Sequence, residues 1–340
     1  MAILERLWRP ISDRLLGEWF TSHAERHCSP KTVERYRELA AYVLPHIGTV
    51  KLNELTTLML QRVFNEVKDS GGRNRKTKEA RPLSPKTVKN ISSVIHSALE
   101  TAVEWSLIRT NPCTRKIVPK LKRKEANALD AEQISWYVNA ARAHGLYEFL
   151  MVNAGTGCRR GELLALTWGD VDFEGKTLRI SKSLEQTKAG LRVKSTKTDK
   201  PRPISLSLST LEVLTSLQSD QARIRDHVGA AYRRDLDLVF CNPLGEYLKP
   251  DSVSAKAGLI AKKLGLKNSS LHTLRHSHGS LLLAKGVPLT VVSKRLGHSS
   301  TFVTATVYSH AMPKDEIAAA DTWDSVVRTQ TETDSTRQPS

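Results

Sequence analysis

The run LHTLRHSHGSLLLAKGVPLTVVSKRLGHSSTFVTATVYSHA, from Leu271 to Ala311, constrains this chain more than any other stretch. His272 and Arg275 are three residues apart, so on a helix they share one face. They can present a proton-transfer group and a fixed cation to one small anion. A segment containing Gly286 and Pro288 returns the chain and brings His298, in Leu-Gly-His, near that face. Tyr308 follows on a short helical stretch of its own. The set suits phosphoryl transfer to a tyrosine. A phenol supplies an oxygen nucleophile that can hold a phosphate covalently. Arginine forms bidentate hydrogen bonds to phosphate and stays charged, and histidine moves a proton near neutral pH.

Taken singly, these residues have plainer readings. A lone tyrosine in an apolar helical pattern is usually core, and a lone His-x-x-Arg is usually a solvated face. His272, His276 and His278 raise the question of zinc, since His272 and His276 are four apart. Thr273 stands where a zinc-protease helix needs glutamate, and no cysteine cluster supports a site, so no metal and no other cofactor is expected.

Charge narrows the partners. The 340 residues carry 52 lysines and arginines against 35 aspartates and glutamates, a formal net charge of +17. That imbalance points to a polyanion, nucleic acid first and an anionic membrane surface second. A membrane-surface protein needs a basic amphipathic helix with a broad apolar face, and the core claims every candidate. No apolar run approaches the ~20 residues that span a bilayer. The start, MAILERLWRPISDRLL, is too charged for a signal peptide. Cys28, Cys113, Cys158 and Cys241 are far apart and form no CxxC, so they read as reduced thiols of a cytoplasmic protein. Cys158 lies beside a charged motif and is read as packing.

The chain is long enough for two domains. A first helix is expected over 13–28, with Leu15, Leu16, Trp19 and Phe20 on its apolar side. Ser29-Pro30-Lys31-Thr32-Val33 recurs as Ser84-Pro85-Lys86-Thr87-Val88, and each copy reads as a helix start with serine as cap and proline at the first position. In the second helix Val88, Ile91, Ile95, Ala98, Ala102 and Trp105 form one apolar stripe. Between them a helix over 57–67 leads to a basic loop with Arg73, Arg75 and Lys76, where phosphate contact and simple solvation both stay open. Residues 13–109 thus read as a helical domain after a short extension, 1–12. Residues 110–128 read as a linker whose Lys120, Lys122, Arg123 and Lys124 suit a nucleic-acid backbone.

A second domain is expected over 129–327, followed by a disordered tail, 328–340. Asp130 and Gln133 resemble a capping box that opens a helix. A helix near 146–154 precedes Thr156-Gly157-Cys158-Arg159-Arg160-Gly161-Glu162. There Arg159 and Glu162 share a face, so the carboxylate can fix the guanidinium fork. Strands are expected at Thr177–Ser183, Leu191–Ser195 and Arg202–Leu206, turned at Ala189-Gly190 and at Asp199-Lys200-Pro201, with Lys194, Lys197 and Lys200 near the second turn. Helices over 210–226 and 250–264 flank a strand at Leu238–Cys241. A last helix is expected at roughly 315–327. The fold class is mainly α with a small antiparallel sheet.

Arg159 in TGCRRGELLALTW, Lys197 in Ser195-Thr196-Lys197-Thr198, His272-x-x-Arg275, His298 in Leu-Gly-His and Tyr308 together resemble the tyrosine recombinases of the phage-integrase family, in that family's order. The resemblance spans about 13–325 and is specific in the second half; the first half is similar in layout. It implies a C-shaped clamp, a helical core-binding domain on one side of DNA and a catalytic domain on the other. It implies site-specific cutting and rejoining through a 3′-phosphotyrosyl bond, without metal or ATP, and integration or excision of a mobile element. Tyr308 is then the nucleophile, Arg159 and Arg275 neutralise the phosphate, Lys197 is the general acid with Lys194 as the alternative, and His272 and His298 assist. Double-stranded DNA is the partner. The protein is expected as a monomer or weak oligomer when free and as a homo-tetramer on two DNA sites, linked by the helix carrying Ile317, Ala320 and Trp323. Accessory DNA-bending or directionality proteins are partners open to it, and it is expected in the cytoplasm with the nucleoid. Many phage integrases begin with an arm-binding domain; about a dozen residues before the first helix leave no room for one, as in the shorter, Xer-like enzymes. The rival readings are a type IB topoisomerase-like enzyme and a DNA-binding protein with a decayed site.

Overall fold

The computed structural model describes residues 15–73, 77, 79–121, 128–195, 201–308, 321 and 323. The expectations for Arg75, Lys76, Lys122, Arg123, Lys124, Lys197, Ile317, Ala320 and the 328–340 tail fall outside the described residues. The chain divides into two compact units, Met1–Lys124 with Gln186–Gly190, and Glu125–Glu185 with Leu191–Ser340. Among the described residues no helix is long and apolar enough to cross a membrane.

The first unit is helical. Helix α1 (15–27) has π-type turns over Trp19–Ala24. Then come α2 (Pro30–Ala40), α3 (Leu44–Ile47), α4 (Thr57–Ser70) and α5 (Pro85–Glu104). The two Ser-Pro starts behave alike. Ser29 and Ser84 each accept the backbone N–H three residues on, at 3.4 and 3.1 Å, and so satisfy a donor that the helix cannot. Along α5, Val88, Ile91, Ile95, Ala98 and Ala102 are all buried. They pack with Trp19, Leu60 and Phe64 in one apolar core. Fully burying side chains of this kind stabilises by about 1.5–3 kcal/mol each before entropy is counted. Residues 111–117, read from sequence as the start of the linker, sit on this core: Cys113 and Ile117 are buried and Thr57 donates to the Pro112 carbonyl.

The connection after α4, expected as an irregular loop, contains a two-residue antiparallel ladder, β1 (Gly72–Arg73) on β2 (Ala80–Arg81). Gly72 permits it, because a Cβ there would meet the Arg81 carbonyl oxygen at 2.7 Å.

The second unit opens with α6 (Ala131–Ala140), whose capping box joins Asp130 and Gln133 in both directions. Helix α7 (Tyr147–Thr156) is the centre of this unit, packing on α6, on α9 (Leu208–Val228) and on α11 (Leu271–Ala284). Between α7 and α9 come α8 (Arg160–Leu164) and strands β3 (Val171–Asp172), β4 (Thr177–Ile180), β5 (Lys182–Thr187), β6 (Gly190–Ser195) and β7 (Arg202–Ser205). After α9 come α10 (Pro250–Lys263), α11, α12 (Leu289–Leu296) and α13 (Thr301–Tyr308).

The strand pairing differs from the sequence expectation. The single strand expected over Thr177–Ser183 divides at Ser181. Strand β4 lies between β3 and β7, with Leu178 opposite Ile204, while β5 pairs with β6 in a separate ribbon. Burial explains the split. Leu178, Ile180 and Ile204 point into the core. Almost every residue of β6 is exposed, so that strand has no inward face to contribute. Leu238–Cys241, expected as a strand, makes only isolated bridges, Thr167 to Leu238 and Cys241 to Tyr247. Its apolar run fills core rather than a ladder, with Leu238, Val239 and Phe240 buried.

Candidate active site

Helix α11 carries His272 and Arg275 on one face, as the spacing requires. Ser270 caps its start by accepting the Thr273 N–H. Arg275 is buried, 3% exposed, and donates to two backbone carbonyls, Gly157 at 2.6 Å and Leu296 at 2.5 Å. Burial, reinforced by the charge of Arg159, pushes its guanidinium down to about 10. At neutral pH it remains a cation.

The Leu296 carbonyl belongs to a set. Helix α12 ends on Gly297, which is left-handed at φ +63. Its turn takes up the Ser293 and Lys294 carbonyls through the N–H groups of His298 and Gly297. The next three carbonyls are each claimed by an arginine. Arg202 Nε donates to Arg295 at 3.2 Å, Arg275 to Leu296, and Arg159 Nη2 to Gly297 at 3.0 Å. A helix C-terminus carries partial negative charge and orphan acceptors, so it is a natural anchor for guanidinium groups. Gly297 must be glycine here: a Cβ would lie 2.8 Å from Arg202 Cζ.

Arg159 precedes α8, and Glu162 in that helix binds it twice. The Arg159 N–H reaches Glu162 Oε2 at 2.8 Å and Nη1 reaches Oε1 at 2.9 Å. The Arg159 side chain stays 41% exposed, whereas Glu162 is 2% exposed. Burial acts to raise the Glu162 carboxyl, but the hydrogen bonds and charges of Arg202 and Arg159 outweigh it and hold it below the ordinary carboxylate range. Arg159, Glu162, Arg275, His272 and Lys194 line one cleft of ≈ 470 Å³. Lys194 is paired there with Glu185 across the β5–β6 ribbon. Cys158 is buried and its thiol is pushed up to about 11, first by burial and then by Glu162, which fits packing rather than reactivity.

His272 is depressed, by burial and then by Arg275 and Arg159, so it is a neutral imidazole at neutral pH. His276 lies edge-on both to His272, at 4.7 Å between ring centroids, and to Tyr308, at 5.4 Å. His298 stacks on Tyr308 at 6.2 Å, and its Nδ1 is 2.7 Å from Thr304 Oγ1. Burial and the neighbouring arginines push His298 down to about 4. Tyr308 is 1% exposed within a small cluster with Leu283, Val292 and Leu296. Burial raises its phenol, opposed by Arg275 and Arg159. Its ring lies against Gly279, where a Cβ would come within 2.7 Å of Tyr308 Cζ.

Thus Arg159, Glu162, His272 and Arg275 meet at the cleft, while His298 and Tyr308 stack on each other beside it. Arg73 and Lys120, expected at a nucleic-acid backbone, belong to the first unit and are exposed. Sequence reasoning missed Arg202, taken only as a strand start, and Gly279. His278, weighed there only in the question of zinc, has a different role. Arg295 Nε donates to its Nε2 at 2.9 Å, so its Nδ1–H donates to the Ala154 carbonyl at 2.8 Å. Burial, aided by Arg295, drives His278 down to about 4, and with both ring nitrogens engaged the residue ties three elements together. No local signal marked the two arginines: Arg202 follows Asp199-Lys200-Pro201 and Arg295 follows Lys294, so each reads as one more exposed charge.

A phage integrase family model matches residues 121–315, and a model of the phage integrase N-terminal SAM-like domain matches 14–68. A "Tyrosine recombinase XerC-like" protein of Caldanaerobacter subterraneus subsp. tengcongensis is 28% identical over 291 residues, covering 80% of this chain and 72% of the relative. The Tn1549 transposon integrase in complex with a circular intermediate DNA superposes with a TM-score of 0.75 at 18% identity, covering 93% of this chain and 99% of that one. A lambda integrase tetramer bound to a Holliday junction gives a TM-score of 0.63 at 19% identity, over 90% and 81% of the two chains. With more than half of its residues matched by the family model, the chain belongs to the phage integrase family: it is a tyrosine recombinase, a site-specific recombinase of the integrase type found with mobile elements.

Proposed function

We propose that this recombinase cuts and rejoins duplex DNA through Tyr308. The Tyr308 phenol oxygen bonds to the scissile phosphorus and the 5′-oxygen of the next nucleotide leaves, so a 3′-phosphotyrosyl bond replaces the phosphodiester. Arg159 and Arg275 neutralise the non-bridging oxygens, a task for preorganised donors in a site that excludes water. His272, neutral at working pH, accepts the phenol proton. His298 donates from Nε2 to the phosphate when Thr304 donates to Nδ1. Lys197 protonates the leaving 5′-oxygen, worth roughly 10²–10⁴-fold. Lys194 is the weaker choice, because Glu185 already engages it. The observation that carries the reading is the anchoring of Arg159 and Arg275 on one helix end beside a cleft that also holds His272. In this reading the buried Tyr308 swings outward from its place against Gly279 when DNA fills the cleft.

Both units contact the duplex. Arg73, Arg75, Lys76 and the basic 120–124 segment follow the backbone, and four copies join two sites through exchanged C-terminal segments; the lambda integrase tetramer bound to a Holliday junction supports the fourfold assembly. The reaction belongs to the cytoplasm, at the nucleoid. The test is covalent trapping on a nicked duplex carrying the mobile element's own junction. Wild type yields a protein–DNA band on a denaturing gel and Tyr308→Phe yields none. A band with both, or with neither despite tight binding, overturns the reading. Lys197→Ala slows trapping and spares binding; an unchanged rate removes its role as acid.

A further inference from the structure

Arg202 meets the cleft only through other residues. Its side chain is 13% exposed, and its guanidinium is flat against Gly297. Nη1 and Nη2 reach the two oxygens of Glu162, at 3.1 and 2.6 Å, and Nε takes the Arg295 carbonyl. This is the parallel fork geometry in which arginine binds a carboxylate most firmly. Glu162 already accepts the backbone N–H and Nη1 of Arg159, so each of its oxygens serves both arginines.

The charge balance gives this arrangement a consequence. Glu162 is buried, and paired with Arg159 alone it would cancel the charge that Arg159 must offer to a phosphate. A buried carboxyl without enough cationic partners also takes up a proton and gives way as a fixed acceptor. A second guanidinium removes both problems: the group of two arginines and one carboxylate keeps a net positive charge, and the carboxylate stays ionised. We infer that Arg202 is a positioning residue of the recombinase site, holding Glu162 ionised and immobile so that Arg159 faces the phosphate with its charge uncancelled. The inference rests on the proposed phosphate role of Arg159. Arg202 touches neither the DNA nor the reacting atoms in this scheme.

The test compares wild type, Arg202→Met, Arg202→Lys, Glu162→Gln and the double variant R202M/E162Q on the nicked junction duplex. Trapping rates are read at saturating protein from pH 5 to 8, and binding by gel shift. We expect Arg202→Met to lower the rate about 100-fold, the scale of a misplaced but intact catalytic group. Duplex binding should change by less than threefold. Arg202→Lys restores part of the loss, because it returns the charge without the fork. The double variant should be no slower than Arg202→Met, since both act through one contact. With Glu162 less well held as an anion, the Arg202→Met rate should also fall at a higher pH on the acid side than wild type. A rate within twofold of wild type, or a double variant as slow as the product of the two losses, overturns the inference. An Arg202→Met chain that unfolds leaves Arg202→Lys to decide, by its rate and acid limb. A second readout needs no DNA chemistry. In ¹³C-carboxyl spectra the Glu162 signal, identified by its absence in Glu162→Gln, should titrate at higher pH in Arg202→Lys than in wild type. If wild type itself traps nothing, the proposed reaction fails while this titration still judges the role of Arg202.

Discussion

The two units bury different things. Among the described residues of the first, the buried polar side chains are Ser92 and Thr101, and the rest of its interior is apolar. The second buries Glu162 and Arg275 along with Asn153, Ser277, Ser293 and Thr304. An apolar interior is forgiving, because burial is non-directional and scales with area. A buried ion group is not, since every unpaired charge costs heavily. The second unit therefore surrounds its arginines with carbonyls at fixed positions, and that rigidity is what a phosphate site requires. The first unit can be stable without such order, which suits the backbone-following surface proposed for it.

Breaking the contrast at its sharpest point means Arg275→Ala. It leaves the Gly157 and Leu296 carbonyls without their donor and removes a cation from the cleft. Trapping on the nicked duplex should fall by about 10²–10³, the usual loss for one preorganised donor. A change under tenfold would mean that the buried arginine is only structural. In the first unit the comparable intrusion is Ile91→Val. It should lower unfolding free energy by about 0.5–1.5 kcal/mol and leave the trapping rate unaltered; a slowed reaction would show that the two interiors are not separable in function.

Acid sharpens the comparison further. His278 and His298 are both pushed down to about 4 from an ordinary 6.5. The unfolded chain therefore binds more protons between those values, and stability of the second unit should fall as pH drops from about 6.5 towards 4. Above that window both histidines are neutral in either state and contribute no slope. His278→Gln should flatten the loss in a chemical-denaturation series across that range. An identical pH slope would mean that His278 is not the titrating tie. The smallest effect concerns the exposed charges of the first unit. Replacing Arg73 and Lys120 by glutamine should make the log–log salt dependence of DNA binding shallower by about 0.9 per lost phosphate contact. An unchanged slope in gel-shift titrations would remove them from the interface.

Much of this was legible in the sequence because it is local. The Ser-Pro helix starts, the Asp130 capping box and the α5 stripe depend on residues three or four apart, and those spacings are visible in the chain. So were His272 and Arg275 as one face, and Glu162 as the partner of Arg159. Strand pairing was not, because a pairing joins distant segments. Thr177–Ser183 reads as one strand until the core claims Leu178 and Ile180 and leaves β6 with no inward side.

What the sequence determined by itself, then, is the set of side chains proposed to hold a phosphate, and the helices that carry them, since both follow from residue type and short spacing. Only the tertiary structure decided how the arginines are held. Arg159, Arg202 and Arg275 come from three separate elements, and they converge because one helix, α12, ends with three successive carbonyls in need of donors. An orphan carbonyl at a helix end has no signature in composition or period; its partner is fixed only when the chain has folded back on it.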